Sequence, residues 1–354
     1  MANDQNSASA NGSSNPQRLL KFLSERGKDL SPMLILTHDF PDPDALASAF
    51  ALQHLAQNHF EITAHIAYGG EIGRVENKTM VRLLKIPARK IKPGWFHHYS
   101  SVALVDTQPG FANNSFPRKW RASLVIDQHS STSPPEADLA LIDPNCGATC
   151  VVIAQALLDK NDDIPARIAT ALAYGILTDT LDLYRARSQG VVQTYLRVLQ
   201  HCDMRCLARI QNPVRPRQFF SSLGRGIVGA VRYRRLLVAH LGVVDNPDSV
   251  SQVADFLLVY RRILWCLVTG RYKGKLHASL RTSRTDVEAG DVLRDAFDNP
   301  REAGGHGSIA GGSTRIGIEA PEDEWVAKEK TLQTRLLKRL RISATTEPRR
   351  PFAK

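Results

Sequence analysis

The sequence predicts an α/β protein: a doubly wound parallel sheet in an N-terminal domain, then a smaller α+β domain, with a cleft between them. Three observations predict it. Over roughly the first two hundred residues, short apolar runs alternate with helix-length stretches, the pattern of a parallel sheet with helical crossovers. One of those runs, Met33-Leu34-Ile35-Leu36-Thr37, is compact and apolar and reads as a buried strand. A segment rich in arginine, proline and glycine, 206–232, then interrupts the pattern, and a second set of strands follows.

Taken in order, residues 1–15 hold four Asn and four Ser with no apolar stretch, so they read as a disordered tail and not a secretory signal. A short helix over 16–26 precedes Met33-Leu34-Ile35-Leu36-Thr37, a buried strand. Pro41 and Pro43 interrupt the chain before an apolar-periodic helix over 45–55. A strand at 61–67, a helix at 76–84 and strands at 101–105, 123–126 and 140–142 follow. Helices at 147–159, 165–177 and 189–199 complete a domain spanning 16–205. After the basic linker, the domain at 233–320 reads as a strand (236–241), a helix (249–260), two strands (263–268 and 276–281) and a helix (291–297). A glycine-rich loop, 304–312, leads to a last strand, 314–318. Residues 321–354 form a basic helix packed on the second domain, then a solvated tail.

Composition sets bounds on function. Of 354 residues, 43% are apolar and 23% charged, enough to bury a core, which excludes a collagen-like or mainly disordered chain. No run approaches the ~18 apolar residues a membrane helix needs, so no membrane partner is expected. Five cysteines make no disulfide framework, and a reducing cytoplasm is the expected setting. Cys146/Cys150 and Cys202/Cys206 share i, i+4 spacing but read as small buried apolar residues rather than a zinc site. The net charge of +11 is local: 205–235 carries eight arginines and no acid, and 335–354 carries seven basic residues and one acid. The first of these mixes arginine with Phe219, Phe220 and Tyr233, a composition suited to nucleotide contact.

The acids fall at the predicted strand ends. Strand one runs into Thr37-His38-Asp39-Phe40-Pro41-Asp42-Pro43-Asp44, the strand at 101–105 into Asp106, and the strand at 123–126 into Asp127-Gln128-His129. In open α/β sheets the ligand site lies beyond the carboxyl ends of the strands. Gathering carboxylates there costs energy through repulsion and desolvation unless a cation joins them, and His with Asp suits Mn²⁺. Each acid also has a structural reading, Asp44 as a helix N-cap and a strand-terminal Asp as a turn former. Asp179, after a helix apolar nearly all round, is a fourth candidate.

These motifs resemble the DHH phosphoesterases. The string His38-Asp39-Phe40-Pro41-Asp42-Pro43-Asp44-Ala45-Leu46-Ala47-Ser48 is similar to that family's first motif with one residue inserted after the His. Asp106 matches the second motif, Asp127-Gln128-His129 the Asp-His-His third, and 175–180 the fourth. Ser279-Leu280-Arg281 and Gly304-Gly305-His306-Gly307-Ser308-Ile309-Ala310-Gly311 resemble elements of the family's C-terminal subdomain, so the likeness covers about 16–320. It implies a two-metal site, usually manganese with magnesium as the alternative, held by His38, Asp42, Asp44, Asp106 and Asp179, with Asp106 bridging. It further implies Asp127 and His129 beside the scissile phosphate, and Ser279, Arg281, Gly304, Gly305 and His306 on the rest of the substrate.

The match departs in places. Gln128 stands where the family has a metal-ligating His, and an amide oxygen is a weaker donor than imidazole. Pro43 and Ala47 replace glycines, and proline fixes φ near −65°. The likeness implies hydrolysis of short RNA oligonucleotides, linear dinucleotides or 3′-phosphoadenosine 5′-phosphate, with a homodimer among the assemblies it allows. The second domain argues against a family II inorganic pyrophosphatase. The rival is a nucleotide- or RNA-binding protein with a decayed site, marked by Gln128.

Overall fold

A computed structural model describes residues 14–352 apart from 161, 162, 187, 285 and 344, and the side chain of His306. The tail expected at 1–15 lies outside the described residues up to position 13; Ser14 caps the first helix. The chain divides into two compact units at Pro213/Val214. Among the described residues no helix is long and apolar enough to cross a membrane.

Unit 1 contains, in order, α1 (Asn15–Leu30), β1 (Met33–Thr37), α2 (Pro43–Phe60), β2 (Ala64–Tyr68), α3 (Val75–Leu84), β3 (Ala88–Lys90), β4 (Ser101–Val105), β5 (Ala122–Asp127) and β6 (Ala137–Ile142). Four helices follow: α4 (Cys150–Lys160), α5 (Ala166–Asp179), α6 (Gln189–Leu199) and α7 (Met204–Gln211). The six strands form one parallel sheet in the order β3-β2-β1-β4-β5-β6. Every residue of β1 and β4 is buried. Period-two alternation splits β1 between two cores: Met33 and Ile35 join Leu46, Leu52 and Ile153 on one face, and Leu34 and Leu36 join Leu104, Phe116 and Val125 on the other. That explains why the strands read as unbroken apolar runs. The strand order reverses between β1 and β4, and at such a switch point the chain leaves a crevice beyond the strand ends. Helix α5 lies close against α2: a Cβ on Gly175 would stand 3.0 Å from the Ala47 Cβ and 3.1 Å from the Cys150 Sγ.

Unit 2 contains α8 (Arg217–Gly229), β7 (Val231–Tyr233), β8 (Leu236–Val243), α9 (Asp248–Leu258), β9 (Trp265–Tyr272), β10 (Lys275–Thr282), α10 (Ala289–Arg294), β11 (Ala303–His306), β12 (Ile309–Arg315) and α11 (Glu322–Arg339). Its sheet runs β11-β12-β10-β9-β8-β7, with β8 and β9 parallel and the other pairs antiparallel. One face packs on Leu332, Leu336 and Leu337 of α11, the other on Val250, Val253 and Leu257 of α9.

Three expectations change. The stretch 206–232, read as a linker, is helical over most of its length, because Leu223 and Ile227, four apart on α8, pack against the unit 2 core among the arginines. The glycine-rich 304–312 segment is not a loop but the hairpin β11–β12, in which Gly304 pairs with Gly311 and Gly305 with Ala310. The final tail is docked: Arg349 exchanges backbone hydrogen bonds with Arg232 at 2.7 and 3.1 Å, and the Phe352 ring sits edge-on to Tyr260 at 4.8 Å.

Candidate metal centre

The site is built on the loops that follow β1, β4 and β5. After β1, His38 is oriented by a hydrogen bond between its Nδ1 and the Asp39 carbonyl at 2.8 Å. Its Nε2 then faces Asp106 Oδ2 at 3.4 Å and Asp42 Oδ1 at 3.9 Å. Asp42, not Asp44, is the N-cap of α2, accepting from the Ala45 N–H at 3.0 Å. Asp106, only 2% exposed, adopts a left-handed backbone with φ 58°, a conformation Asp tolerates better than most residues. Its N–H donates to the Ile126 carbonyl at 2.9 Å, which ties the loop to β5.

Asp127 ends β5 and is fully buried. Its Oδ1 accepts from the His129 N–H at 3.1 Å and faces His129 Nδ1 at 2.8 Å; its Oδ2 accepts from Gln108 Nε2 at 2.8 Å. Gln108 also donates to the His129 carbonyl at 2.7 Å, so three contacts fix the His129 loop. His129 Nδ1 lies 3.7 Å from Asp106 Oδ1. Donor atoms of His38, Asp42 and Asp106 fall within 4.8 Å of one another, as do those of Asp106, Asp127 and His129, so Asp106 stands between two groups able to hold a cation.

The remaining predicted ligands are placed differently. Asp44 is wholly buried, and its two oxygens accept from the Thr149 and Cys150 N–H groups at 2.6 and 2.8 Å. It thus anchors the start of α4, a donor cluster that attracts negative charge. Gln128 turns its amide nitrogen, rather than its oxygen, to the Asp179 carboxylate. In that arrangement Gln128 is a hydrogen-bond donor to Asp179, whereas a ligand must present a lone pair. Thr149 was not singled out as a site residue by sequence, yet its hydroxyl donates to Asp106 Oδ1 at 2.7 Å and accepts from the Gln128 N–H at 3.2 Å. Nothing in the sequence marks a threonine at a helix start as more than a cap, and Gln108 carries no motif.

The charges report the crowding. Burial pushes Asp44 well up, and the negative charges of Asp106, Asp179 and Asp42 push it further. Burial, then Asp42 and Asp106, push Asp179 up to about 8. Burial opposes the charge of His38, but Asp106 and Asp42 outweigh it and raise the imidazole to about 11. His129 rises to about 9, chiefly through its hydrogen bond to Asp127, against partial burial.

Residues 32–176 match the DHH family, N-terminal domain. The chain thus carries a stretch similar to the DHH family N-terminal domain. An uncharacterized protein of Methanocaldococcus jannaschii is 31% identical over 304 residues, which is 85% of this chain and 62% of that one. A protein named "probable manganese-dependent inorganic pyrophosphatase", from Lactobacillus delbrueckii subsp. bulgaricus, is 26% identical over 156 residues, 42% of this chain and 47% of that one. The chain therefore spans less than two thirds of the length of either relative. The crystal structure of an exopolyphosphatase-related protein from Bacteroides fragilis superposes with a TM-score of 0.70 at 14% identity, covering 92% of this chain and 97% of that one, and shows the shared fold.

The DHH domain match contains every candidate of unit 1 except Asp179, which ends α5 three residues beyond it. In unit 2, Ser279 and Arg281 lie buried on β10. The Arg281 guanidinium donates to Asp255 at 2.5 Å and to the Ala310 carbonyl at 3.0 Å, so it serves the unit's own packing. Ser279 Oγ is buried with no hydrogen-bond partner among the described residues. Gly304 and Gly305 are strand residues of β11, where a Cβ on Gly305 would stand 2.2 Å from the Ile309 carbonyl oxygen. The side chain of His306 lies outside the described residues.

Proposed function

We propose that this chain is a divalent-metal-dependent phosphoesterase acting on short RNA oligonucleotides, linear dinucleotides or 3′-phosphoadenosine 5′-phosphate, with Mn²⁺ as the working ion and Mg²⁺ the alternative. The observation that carries the proposal is the meeting of His38, Asp42 and Asp106 on one side and of Asp127 and His129 on the other, both around Asp106. The donor set fits a hard to borderline cation, since carboxylates with imidazole suit Mn²⁺ and no thiolate is present in either group. The upward push on Asp44 and Asp179 is the cost of a carboxylate cluster without a counter-charge, which a cation relieves. When bound, such an ion supplies positive charge to the phosphoryl oxygens and makes a water more acidic.

The chain's own residues do the rest. Asp127 holds His129 by Nδ1, leaving Nε2 as the nitrogen that can reach a phosphoryl oxygen. From that nitrogen His129 would donate to the oxygen as charge builds in the transition state. Gln108 keeps Asp127 and the His129 carbonyl in place, and Thr149 keeps Asp106 in place. Names of the relatives, one a pyrophosphatase and one exopolyphosphatase-related, support phosphoryl chemistry at large.

A second reading, nucleotide binding without turnover, is favoured by the Gln128–Asp179 hydrogen bond, which satisfies an acid that the family reading gives to a metal. Incubation of di- to pentaribonucleotides with Mn²⁺ decides between the two. Release of mononucleotides that Asp106→Ala abolishes supports the enzyme; binding of the same oligonucleotides with no release supports the rival.

A further inference from the structure

Beside the metal centre, unit 1 carries an open groove of about 580 Å³ that neither the family motifs nor the comparisons assign. That volume falls in the range of small-ligand sites, about 300–1,000 Å³. It is lined by Phe111, Arg118 and Trp120, by the hydroxyl run Ser130-Ser131-Thr132-Ser133, and by prolines 109, 134 and 135. Gln108 also lines it. This is the residue whose amide donates to both Asp127 Oδ2 and the His129 carbonyl, so groove and metal centre share a wall. Ser130 follows His129 directly in the chain.

From this lining we infer that the groove takes the nucleoside part of the substrate, with its phosphate at His129. The inference rests on the phosphoesterase reading and deepens it.

Charge argues for a nucleoside over a phosphate chain. The lining holds one cation, Arg118, and one acid, Glu136, so it offers no net positive charge. An extended polyphosphate needs several cations along its path. What the groove does offer is two aromatic faces and a bank of hydroxyls, the means by which proteins hold bases and sugars. Trp120 is also held ready: its ring meets Phe96 edge-on at 6.0 Å and His97 at 5.4 Å, and Phe96 in turn meets Phe116. A ring already locked by neighbours loses little freedom when a base stacks on it.

The test uses the full chain with Mn²⁺ and compares kcat/KM for linear diadenylate with kcat/KM for bis(p-nitrophenyl) phosphate, which carries no nucleoside. Three proteins are measured: wild type, Trp120→Ala, and Ser133→Trp, which fills the groove from an exposed position. The ratio of the two values is expected to fall about tenfold or more in both variants, through KM for the dinucleotide. Should Trp120→Ala fail to fold, since it removes packing from Phe96, Ser133→Trp and Arg118→Ala carry the test alone. An unchanged ratio in folded variants overturns the inference. If wild type turns over neither substrate, the phosphoesterase reading falls. The groove is then judged by calorimetric binding of adenosine 5′-monophosphate: loss in Ser133→Trp upholds it, and equal affinity overturns it.

Discussion

The side-chain amide of Gln128, at the end of β5, donates to the carboxylate of Asp179, at the end of α5. One side chain thereby stands where the family resemblance puts a metal ligand and also satisfies a second acid that the resemblance gives to a metal. A cation seeking Asp179 must displace this hydrogen bond, about 0.5–1.5 kcal/mol net. In the His38–Asp42–Asp106 group, Asp42 and Asp106 also accept hydrogen bonds, from the Ala45 N–H and the Thr149 hydroxyl, but each of these goes to Oδ1 alone. Wild type is therefore expected to retain close to one Mn²⁺ per chain after desalting, and Gln128→His close to two. Metal analysis of the desalted proteins reads this directly, and equal retention would show that Gln128 does not set the count.

Metal binding should expel protons, with His38 the main source. Its imidazole, raised to about 11, is protonated at pH 7, and a metal takes only the neutral ring. Asp179, raised to about 8, is also mostly protonated there. Because both groups sit above neutral pH, apparent metal affinity climbs as pH rises, about tenfold per unit for each proton released. In the metal-free protein the sign for stability is opposite. The contribution of protonated His38 is complete below its ordinary value of 6.5 and lost as pH rises through about 11. Calorimetry of Mn²⁺ binding at pH 7 in two buffers of different ionisation enthalpy counts the protons, and His38→Gln should release about one fewer. An unchanged proton count in that variant would remove His38 from the site.

Much of unit 1 was legible because its strands carry two cores at once. Met33 to Leu36 had to be apolar at every position, and an apolar run leading into His and Asp marks both a strand and its functional end. Thr149 was not legible in the same way. Its role arises from a contact between the start of α4 and the loop after β4, 43 residues apart, and no local pattern encodes such a meeting. In α8, arginines at 217 and 225 and glycines at 224 and 226 masked the apolar stripe that makes 206–232 helical. The β11–β12 hairpin was hidden by glycines that loops and close-packed strands both favour; here they are needed because backbones approach too closely for a Cβ.

Thr149 provides a test of positioning. Its hydroxyl links Asp106 to the backbone of Gln128, so it holds the central carboxylate without reaching substrate. Thr149→Val keeps the shape and removes both hydrogen bonds. By analogy with groups that orient metal ligands, Mn²⁺ affinity or kcat should drop about 10- to 100-fold, with KM little altered. Thr149→Ser should restore most of the loss, because the hydroxyl returns. A Val variant with normal metal affinity and kcat, or a Ser variant as impaired as Val, would contradict the assignment.

The glycine contact between α10 and the hairpin makes a stability prediction independent of any metal. A Cβ on Gly290 would lie 2.2 Å from the Gly305 carbonyl oxygen and 2.7 Å from its carbon, and both obstacles are backbone. Gly290→Ala gains up to about 1 kcal/mol of helix propensity in a long exposed helix, but α10 has only six residues and Gly290 is buried in it. Against that gain stands the cost of forcing a methyl into a packed contact, about 1–3 kcal/mol. The clash wins because neither Gly305 nor α10 can give way by rotating a side chain. Thermal unfolding of Gly290→Ala should therefore show a lower transition for unit 2, with the transition of unit 1 and its metal retention kept as internal controls. A variant as stable as wild type would mean that α10 does not lie against Gly305 as described, and the hairpin would lose the support that holds its glycines in register.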